Sequence, residues 1–147
     1  MSRLDCLVGK QIARALIHNG DIYLEVGGQC MRHDDCVETP EMGKECGAGT
    51  IIRLNPEGDC CASAYIQGVS IAYALVDATV TAVGDMDGGS EDRDGGQVDT
   101  WGHTITTTKG MCSLDMRTEH NGYYSGWMNV SEEATIPEGA KALEDFS

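Results

Sequence analysis

The sequence predicts an α+β fold, mainly an antiparallel β-sheet built of hairpins with one clear short helix. Two observations favour the sheet: 19 of the 147 residues are Gly, most of them at segment ends, and Asn-Gly pairs separate β-rich runs. One observation favours the helix, because residues 63–76 carry apolar side chains at helical spacing, namely Ile66, Val69, Ala72, Tyr73 and Val76.

The amino-terminal half is predicted to begin with a hairpin. Residues 11–17 and 21–26 are rich in β-forming side chains and flank His18-Asn19-Gly20, a strong turn signal. Residues 50–54 predict a short strand, and residues 78–83 alternate as another strand. The predicted helix lies between these two strands.

A second hairpin is predicted around Lys109-Gly110. A two-residue turn there pairs Thr108 with Met111 and assigns a face to every side chain of both strands. The face expected in the core holds Trp101, His103, Ile105, Thr107, Cys112, Leu114, Met116 and Thr118. The face expected to be wet or ligand-facing holds Thr104, Thr106, Thr108, Ser113, Asp115 and Arg117.

The remaining segments complete one predicted domain, residues 1–130. His120-Asn121-Gly122 predicts a turn, and residues 123–130 the last strand. Residues 27–49 form a Cys-rich insertion, and residues 84–100, with six acids and five Gly, are expected to be a solvated, mobile loop. Residues 131–147 are expected to be an acidic tail with a short helix at 138–145.

The charge excludes several function classes. Ten Lys and Arg oppose 24 Asp and Glu, a formal charge of −14, which argues against binding a nucleic-acid backbone or an anionic membrane surface. No apolar run approaches the ~20 residues that span a bilayer, and the first ten residues do not resemble a signal peptide. Seven Cys, an odd number, favour reduced thiols in a cytoplasmic protein.

A metal site is one candidate. Cys30, His33, Cys36 and Cys46 are residue types that zinc prefers, and four such ligands complete a tetrahedron. Their C-x2-H-x2-C-x9-C spacing is not that of a standard zinc knuckle, so a reduced loop with incidental thiols stays open beside a structural zinc. No serine–histidine–acid triad, glycine-rich phosphate loop or paired-carboxylate motif stands out, which favours a binding protein over an enzyme.

A nucleotide pocket is the second candidate. Four of the eight aromatic residues fall within residues 101–127, interleaved with basic and amide side chains: Trp101, Tyr123, Tyr124 and Trp127 with His103, Arg117 and Asn121. Aromatic planes that stack a base beside Arg and amide groups that hold phosphate suit a nucleotide. The alternative is that Trp101 and one Tyr belong to the core and that Arg117 is a surface charge.

Three blocks carry a resemblance: LVGKQIARALIHNGDIYLEV, EGDCCASAYIQGV and WGHTITTTKGMCSLDMRTEHNGYYSGW. Their order is a hairpin, D-C-C before the predicted helix, T-x-K-G, a strand and N-G-Y-Y-S. The set resembles an uncharacterised family of small phage proteins, and it is similar to the phage anti-Thoeris sponge proteins, over residues 7–26 and 50–130.

The resemblance implies a sponge that sequesters a cyclic nucleotide immune signal, a cyclic ADP-ribose isomer or a cyclic oligonucleotide, without cleaving it. It also implies a small α+β domain that forms homo-oligomers and needs no cofactor. Carried onto this sequence, it points to these ligand-binding residues, the last from charge alone: Asn121, Tyr123, Tyr124, Arg117, Trp101, Asp59 and Arg53. The charge of −14 opposes an anionic ligand at long range, so alternatives stay open: an acidic inhibitor that binds a host defence protein, or a nucleotide hydrolase.

Overall fold

The computed structural model describes residues 3–27, 50–59, 62–93, 96–120 and 126–147. Within these ranges the chain forms nine strands and two short 3-10 helices, Arg3–Leu7 and Ala72–Leu75. The strands are β1 Gln11–His18, β2 Asp21–Val26, β3 Thr50–Gly58, β4 Ser63–Ser70, β5 Ala78–Arg93, β6 Gly96–Thr107, β7 Gly110–His120, β8 Gly126–Glu133 and β9 Lys141–Ala142. The described part is therefore largely β, and the predicted α+β class is wrong in its helical component.

The strands pair antiparallel in the order β4-β7-β6-β5-β1-β2-β3-β8, and β9 adds to β1. The sheet curls until its two ends approach each other. Gly126 in β8 marks the contact, because a Cβ built there would lie 3.0 Å from Cβ of Ala64 in β4. The curl gives the sheet an inner face, which encloses the core, and an outer face.

Apolar side chains from most of the strands fill the inner face. Ile12, Leu24, Leu54, Ile105 and Leu114 are fully buried and belong to one continuous cluster. Burial of a large aliphatic side chain contributes about 1.5–3 kcal/mol, so this cluster holds the two halves of the curled sheet together.

The predicted first hairpin is confirmed. His18 pairs with Asp21 across a two-residue turn, and Asn19 and Gly20 have φ of 50° and 81°. Positive φ at both turn positions suits the twist of the flanking strands, and Asn-Gly tolerates it. The strands predicted at residues 50–54 and 78–83 are also present, and they continue as far as Gly58 and Arg93.

The helix predicted at residues 63–76 is wrong, because residues 63–70 are strand β4 and a short 3-10 turn follows. The pairing of β4 with β7 shifts between Ile66 and Gly68, the signature of a bulge. The extra residue brings Ile66 and Val69, three positions apart, to the buried inner face. The bulged strand therefore has the apolar spacing that is typical of a helix.

The hairpin of β6 and β7 has the predicted faces but a different turn. Thr107 pairs with Gly110, so the turn is Thr108-Lys109 rather than Lys109-Gly110, and each partner shifts by two residues. The hydroxyl of Thr107 fixes this turn, because it accepts a bond from the Lys109 amide at 3.0 Å and donates one to the Ala74 carbonyl at 2.6 Å. A shift of two residues preserves the faces.

The mobile loop predicted at residues 84–100 is wrong. Gly84 pairs with Thr104, and the ladder continues to Arg93 opposite Gly96, so β5 and β6 extend as a ribbon, the β5–β6 ribbon, with β7 paired to the other side of β6 as far as Gln97. Polar side chains join the strands: Gln97 Nε2 donates to Asp92 Oδ1 at 3.1 Å. The β5 strand of the ribbon is largely exposed, as a solvated segment was expected to be, whereas the β6 strand is half-buried or buried.

The carboxyl-terminal segment returns to the sheet, and the helix predicted at residues 138–145 is wrong. Gly139 has φ of 91° within a turn, a conformation that interrupts a helix. Strand β9 then pairs with β1, Leu143 is buried, and Phe146 forms a bridge with Val69 of β4. Asp145 Oδ1 accepts a bond of 2.7 Å from the Ala72 amide. No helix in the described ranges is long and apolar enough to cross a membrane.

Candidate functional site

A cavity of about 230 Å³ lies where the β5–β6 ribbon meets the start of β8. Three strands build its wall, and the bulge between Asp87 and Gly89 shapes one side of it. The lining residues are Asp87, Gly89, Ser90, Asp99, Thr100, Trp101 and Gly126. We call this the Trp101 cavity.

Trp101 is the aromatic residue of this cavity, and its position is fixed. Its indole Nε1 donates a hydrogen bond of 2.8 Å to Oγ1 of Thr118, a fully buried side chain of β7. The ring also packs against the core and contacts His103 edge-on, with 5.6 Å between ring centroids. A fixed aromatic plane at the edge of a cavity can stack a flat ligand.

Asp99 is the second fixed side chain of the Trp101 cavity. Ser90 Oγ donates to Oδ1 of Asp99 at 2.5 Å, and His120 Nε2 donates to Oδ2 at 2.8 Å. His120 is almost fully buried, with its side chain 5% exposed, so the carboxylate of Asp99 is bonded to a buried side chain. Asp87 adds a second carboxylate, which makes the cavity wall negative and rich in acceptors.

A further His–Asp pair lies beside the cavity. Nδ1 of His103 is 3.0 Å from Oδ1 of Asp85. Nε2 of the same ring is buried, and no group in the described ranges bonds to it. Because the Asp85 carboxylate can only accept, Nδ1 of His103 donates this hydrogen bond.

The structure does not bring Arg117 to Trp101. Met116 lies opposite Trp101, so the next residue, Arg117, points to the outer face of the sheet. There its Nη1 donates to Oδ1 of Asp115 at 2.5 Å and to the Met116 carbonyl at 2.9 Å. The two residues that sequence reasoning grouped into one pocket thus lie on opposite faces of the sheet.

Arg53 and Asp59 are not among the residues that line the cavity. Arg53 donates to Oδ2 of Asp21 from Nε at 2.9 Å and from Nη2 at 2.6 Å, and its guanidinium lies 6.0 Å from the ring centroid of Tyr23. The hydrogen bonds that Arg53 donates to Asp21 raise the pKa of Arg53 above its usual value, against a smaller lowering by burial. Asp59 is exposed just after β3.

The other predicted site residues lie outside the described ranges. This applies to the ligand candidates Asn121, Tyr123 and Tyr124, and to the metal candidates Cys30, His33, Cys36 and Cys46. His120 and Gly126 flank these ligand candidates in sequence. Both lie at the cavity, because His120 bonds Asp99 and Gly126 lines the wall. Within the described ranges no three His, Cys, Asp or Glu side chains group as metal ligands.

Sequence reasoning missed the polar half of this site. Asp87, Ser90 and Asp99 fell within the predicted loop, so they were assigned no face. One signal could have found Asp99: it lies two residues before Trp101, and residues two apart on a strand share a face. Thr118 was predicted on the face of Trp101, and the structure joins the two.

A family model described as a domain of unknown function, DUF7448, matches residues 5–130. No curated protein and no solved structure is detectably similar to the chain. The match covers strands β1 to β7, the first five residues of β8 and the whole Trp101 cavity. It leaves β9 and the carboxyl-terminal bridge outside the matched residues.

Proposed function

This chain belongs to the DUF7448 family, and we propose that it is a phage-type anti-defence sponge that captures a cyclic nucleotide immune signal without cleaving it. The ligand is a cyclic ADP-ribose isomer or a cyclic oligonucleotide, and the protein acts as a homo-oligomer in the cytoplasm of the infected bacterium. The observation that carries the proposal is Trp101, held by Thr118 in the wall of a cavity.

The cavity chemistry favours the nucleoside part of such a ligand. Its volume of about 230 Å³ is below the roughly 300–1,000 Å³ of pockets that enclose a whole drug-sized molecule. A base would stack on Trp101, and the carboxylates of Asp87 and Asp99 would accept hydrogen bonds from ribose hydroxyls or an exocyclic amine. The phosphates would remain at the mouth, away from these acids.

The bonds of Ser90 support capture over cleavage. A serine nucleophile needs a base that takes its proton, most often a histidine. Here the hydroxyl of Ser90 donates to Asp99, and the neighbouring His120 donates to the same carboxylate. The three side chains thus form a fixed acceptor rather than an activated hydroxyl.

The charges of the protein determine how the affinity for such an anionic ligand depends on salt. Three described arginines are already in ion pairs, Arg14 with Glu25, Arg53 with Asp21 and Arg117 with Asp115. An anionic ligand therefore approaches a protein of charge −14 with little local compensation. Added salt screens this repulsion, so we expect nucleotide affinity to rise between 20 and 200 mM salt.

A capture-and-release experiment tests the proposal. The purified protein is mixed with cyclic ADP-ribose isomers and cyclic di- and trinucleotides, washed, denatured by heat, and the released material is identified by mass spectrometry. Intact ligand near one per site supports a sponge. A degraded nucleotide would instead indicate a hydrolase, and no retained ligand would overturn the proposal for this panel.

Two variants locate the site in the same experiment. Trp101→Ala removes the stacking plane and should lower retention at least about fivefold, since base stacking contributes about 1–3 kcal/mol. Arg117→Ala is the matched control on the outer face and should retain ligand normally. Loss in the Arg117 variant with full retention in the Trp101 variant would move the site to the outer face.

A further inference from the structure

The two edges of β5 differ. One edge pairs with β6 along the whole strand, whereas on the other edge, in the described ranges, only the first residues pair with another segment. There Ala78 and Thr79 pair with β1, and Val80 exchanges backbone bonds with Lys10 and Gly9. Beyond Val80, no strand in the described ranges pairs with this edge. In the part of the chain that the structure describes, alternate backbone donors and acceptors of residues 81–87 therefore face outward along an open edge.

Two bulges divide this edge and leave one regular run between them. The pairing of β5 with β6 shifts between Val80 and Ala82 and again between Asp87 and Gly89. Residues 82–87 lie between the shifts and pair in unbroken register with β6. Six residues is the usual length of a strand in globular proteins, so this run can accept one complete partner strand.

The charge on the edge indicates the partner. From residue 81 to residue 92 the sequence has four acids and neither Lys nor Arg; the acids are Asp85, Asp87, Glu91 and Asp92. A second copy of the chain would bring the same four acids to this edge, which opposes pairing between copies there. A cationic segment is attracted over the same distance.

We propose that residues 82–87 of β5 bind an extended Lys- and Arg-rich segment of a partner protein by strand addition. Main-chain hydrogen bonds to the open edge hold the segment, and the carboxylates beside them select basic side chains. This surface adjoins the Trp101 cavity, which Asp87 also lines, but strand addition does not require nucleotide capture. The competing explanation is that acids and bulges only keep the edge from pairing.

The test uses the full chain and an eight-residue peptide in which Lys alternates with Val. Amide hydrogen exchange is measured by NMR with and without the peptide. Strand addition should slow exchange at alternate amides of residues 82–87, because every second N–H faces outward. The same peptide N-methylated along one edge should bind at least tenfold more weakly, and one with Glu for Lys should not bind.

A matched pair of variants tests the charge. Asp85→Asn with Asp87→Asn should weaken peptide binding about fivefold, since each exposed charge pair contributes roughly 0.2–1 kcal/mol. Glu138→Gln with Glu144→Gln changes the net charge equally at exposed positions of the carboxyl-terminal segment and should change binding less than twofold.

Several outcomes would overturn the proposal. One is no peptide binding at 1 mM, which leaves edge protection as the role of the acids. Another is binding without slowed exchange at residues 82–87, or equal weakening by both variant pairs, which indicates diffuse attraction. Exchange that slows as the protein alone is concentrated indicates a second copy at the edge.

Discussion

Trp101 and Thr118 are joined across neighbouring strands by a hydrogen bond of 2.8 Å from the indole Nε1 to Oγ1. Thr118 also meets the far end of the sheet, because a Cβ built at Gly126 would clash with the same Oγ1. One hydroxyl therefore connects β6, β7 and β8 at the cavity wall. The orientation of the proposed stacking plane depends on this contact.

The first prediction concerns Thr118→Val, which keeps the shape of the side chain and removes the acceptor. The free energy of unfolding should fall by about 1–2 kcal/mol, because the Trp101 N–H loses its partner. Ligand retention should fall severalfold as the indole loses its fixed orientation. Urea unfolding and calorimetric titration measure the two effects.

Thr106→Val is the control for this substitution. Thr106 lies on the outer face of β6 and is only partly exposed, like many sheet positions. Its replacement should change stability by less than about 0.5 kcal/mol and leave ligand retention intact. Equal effects of the two substitutions would show that the Trp101–Thr118 bond has no special role.

The second prediction concerns Gly126→Ala. The added Cβ would contact Oγ1 of Thr118, Cβ of Ala64 at 3.0 Å and the carbonyl of Glu57 at 3.2 Å. Strand β8 would have to move away from β3, β4 and β7, which typically costs about 1–3 kcal/mol. We also expect a shifted Trp101 fluorescence maximum, because Thr118 is displaced.

Gly20→Ala is the control, because it strains the backbone of a glycine with positive φ without crowding its neighbours. Gly20 has φ of 81° and nothing within 4 Å of an added Cβ, so its substitution strains the turn without crowding. It should cost of the order of 1 kcal/mol and leave the fluorescence maximum unchanged. A fluorescence shift in both variants would contradict the proposed link between Gly126 and Trp101.

The parts of the fold that sequence patterns predicted are those with a strictly local cause. Asn19-Gly20 determines its own turn, and alternation along β6 and β7 assigned Ile105, Cys112 and Leu114 to the buried face. Ile66 and Val69 misled the prediction, because a bulge in β4 depends on the pairing with β7. A bulge of this kind has no marker in the strand's own apolar pattern.

The candidate site was predicted in part for a related reason. Trp101 was predicted because aromatic residues beside basic and amide side chains indicate a nucleotide pocket. The acid-rich and glycine-rich sequence of the β5–β6 ribbon is instead typical of a loop. Bonds such as Ser90 to Asp99 hold the ribbon together, and polar cross-strand pairs give no apolar signal. The ion pair of Arg117 with Asp115 was equally hidden, since their residue types alone suggested a free cation.

The third prediction concerns the ion pair of Arg53 and Asp21. The Asp21 side chain is 12% exposed, so Arg53→Ala would leave a largely buried carboxylate without its main partner. We expect a loss of about 2–4 kcal/mol in the free energy of unfolding, and a smaller loss in Arg53→Lys, which cannot donate from two nitrogens of one fork.

A double-mutant cycle with Asp21→Asn measures the coupling. The double variant should be less destabilised than the sum of the single variants by at least about 1 kcal/mol. Retention of nucleotide by Arg53→Ala, measured where the protein is still folded, tests the separate expectation from sequence that Arg53 holds phosphate. Additive effects would mean that the pair contributes little.

The fourth prediction contrasts two thiols. Cys6 is exposed, whereas Cys112 is fully buried, and burial together with the nearby Asp145 charge raises the pKa of the Cys112 thiol to about 12. Iodoacetamide at pH 8 should therefore modify Cys6 within minutes and leave Cys112 intact in the folded protein. Peptide mapping by mass spectrometry after a short pulse distinguishes them, and early labelling of Cys112 would contradict its burial.

The same thiol predicts a pH dependence of stability. The unfolded thiol ionises near pH 9 and the folded one near pH 12, so between these values the unfolded state loses its proton first. The contribution of Cys112 is complete below pH 9 and is lost as the pH rises towards 12. From pH 8 to pH 10 the wild-type free energy of unfolding should fall about 1 kcal/mol more than that of Cys112→Ala, measured by urea unfolding in reductant. Parallel losses in the two proteins would show that the folded thiol ionises as readily as the unfolded one.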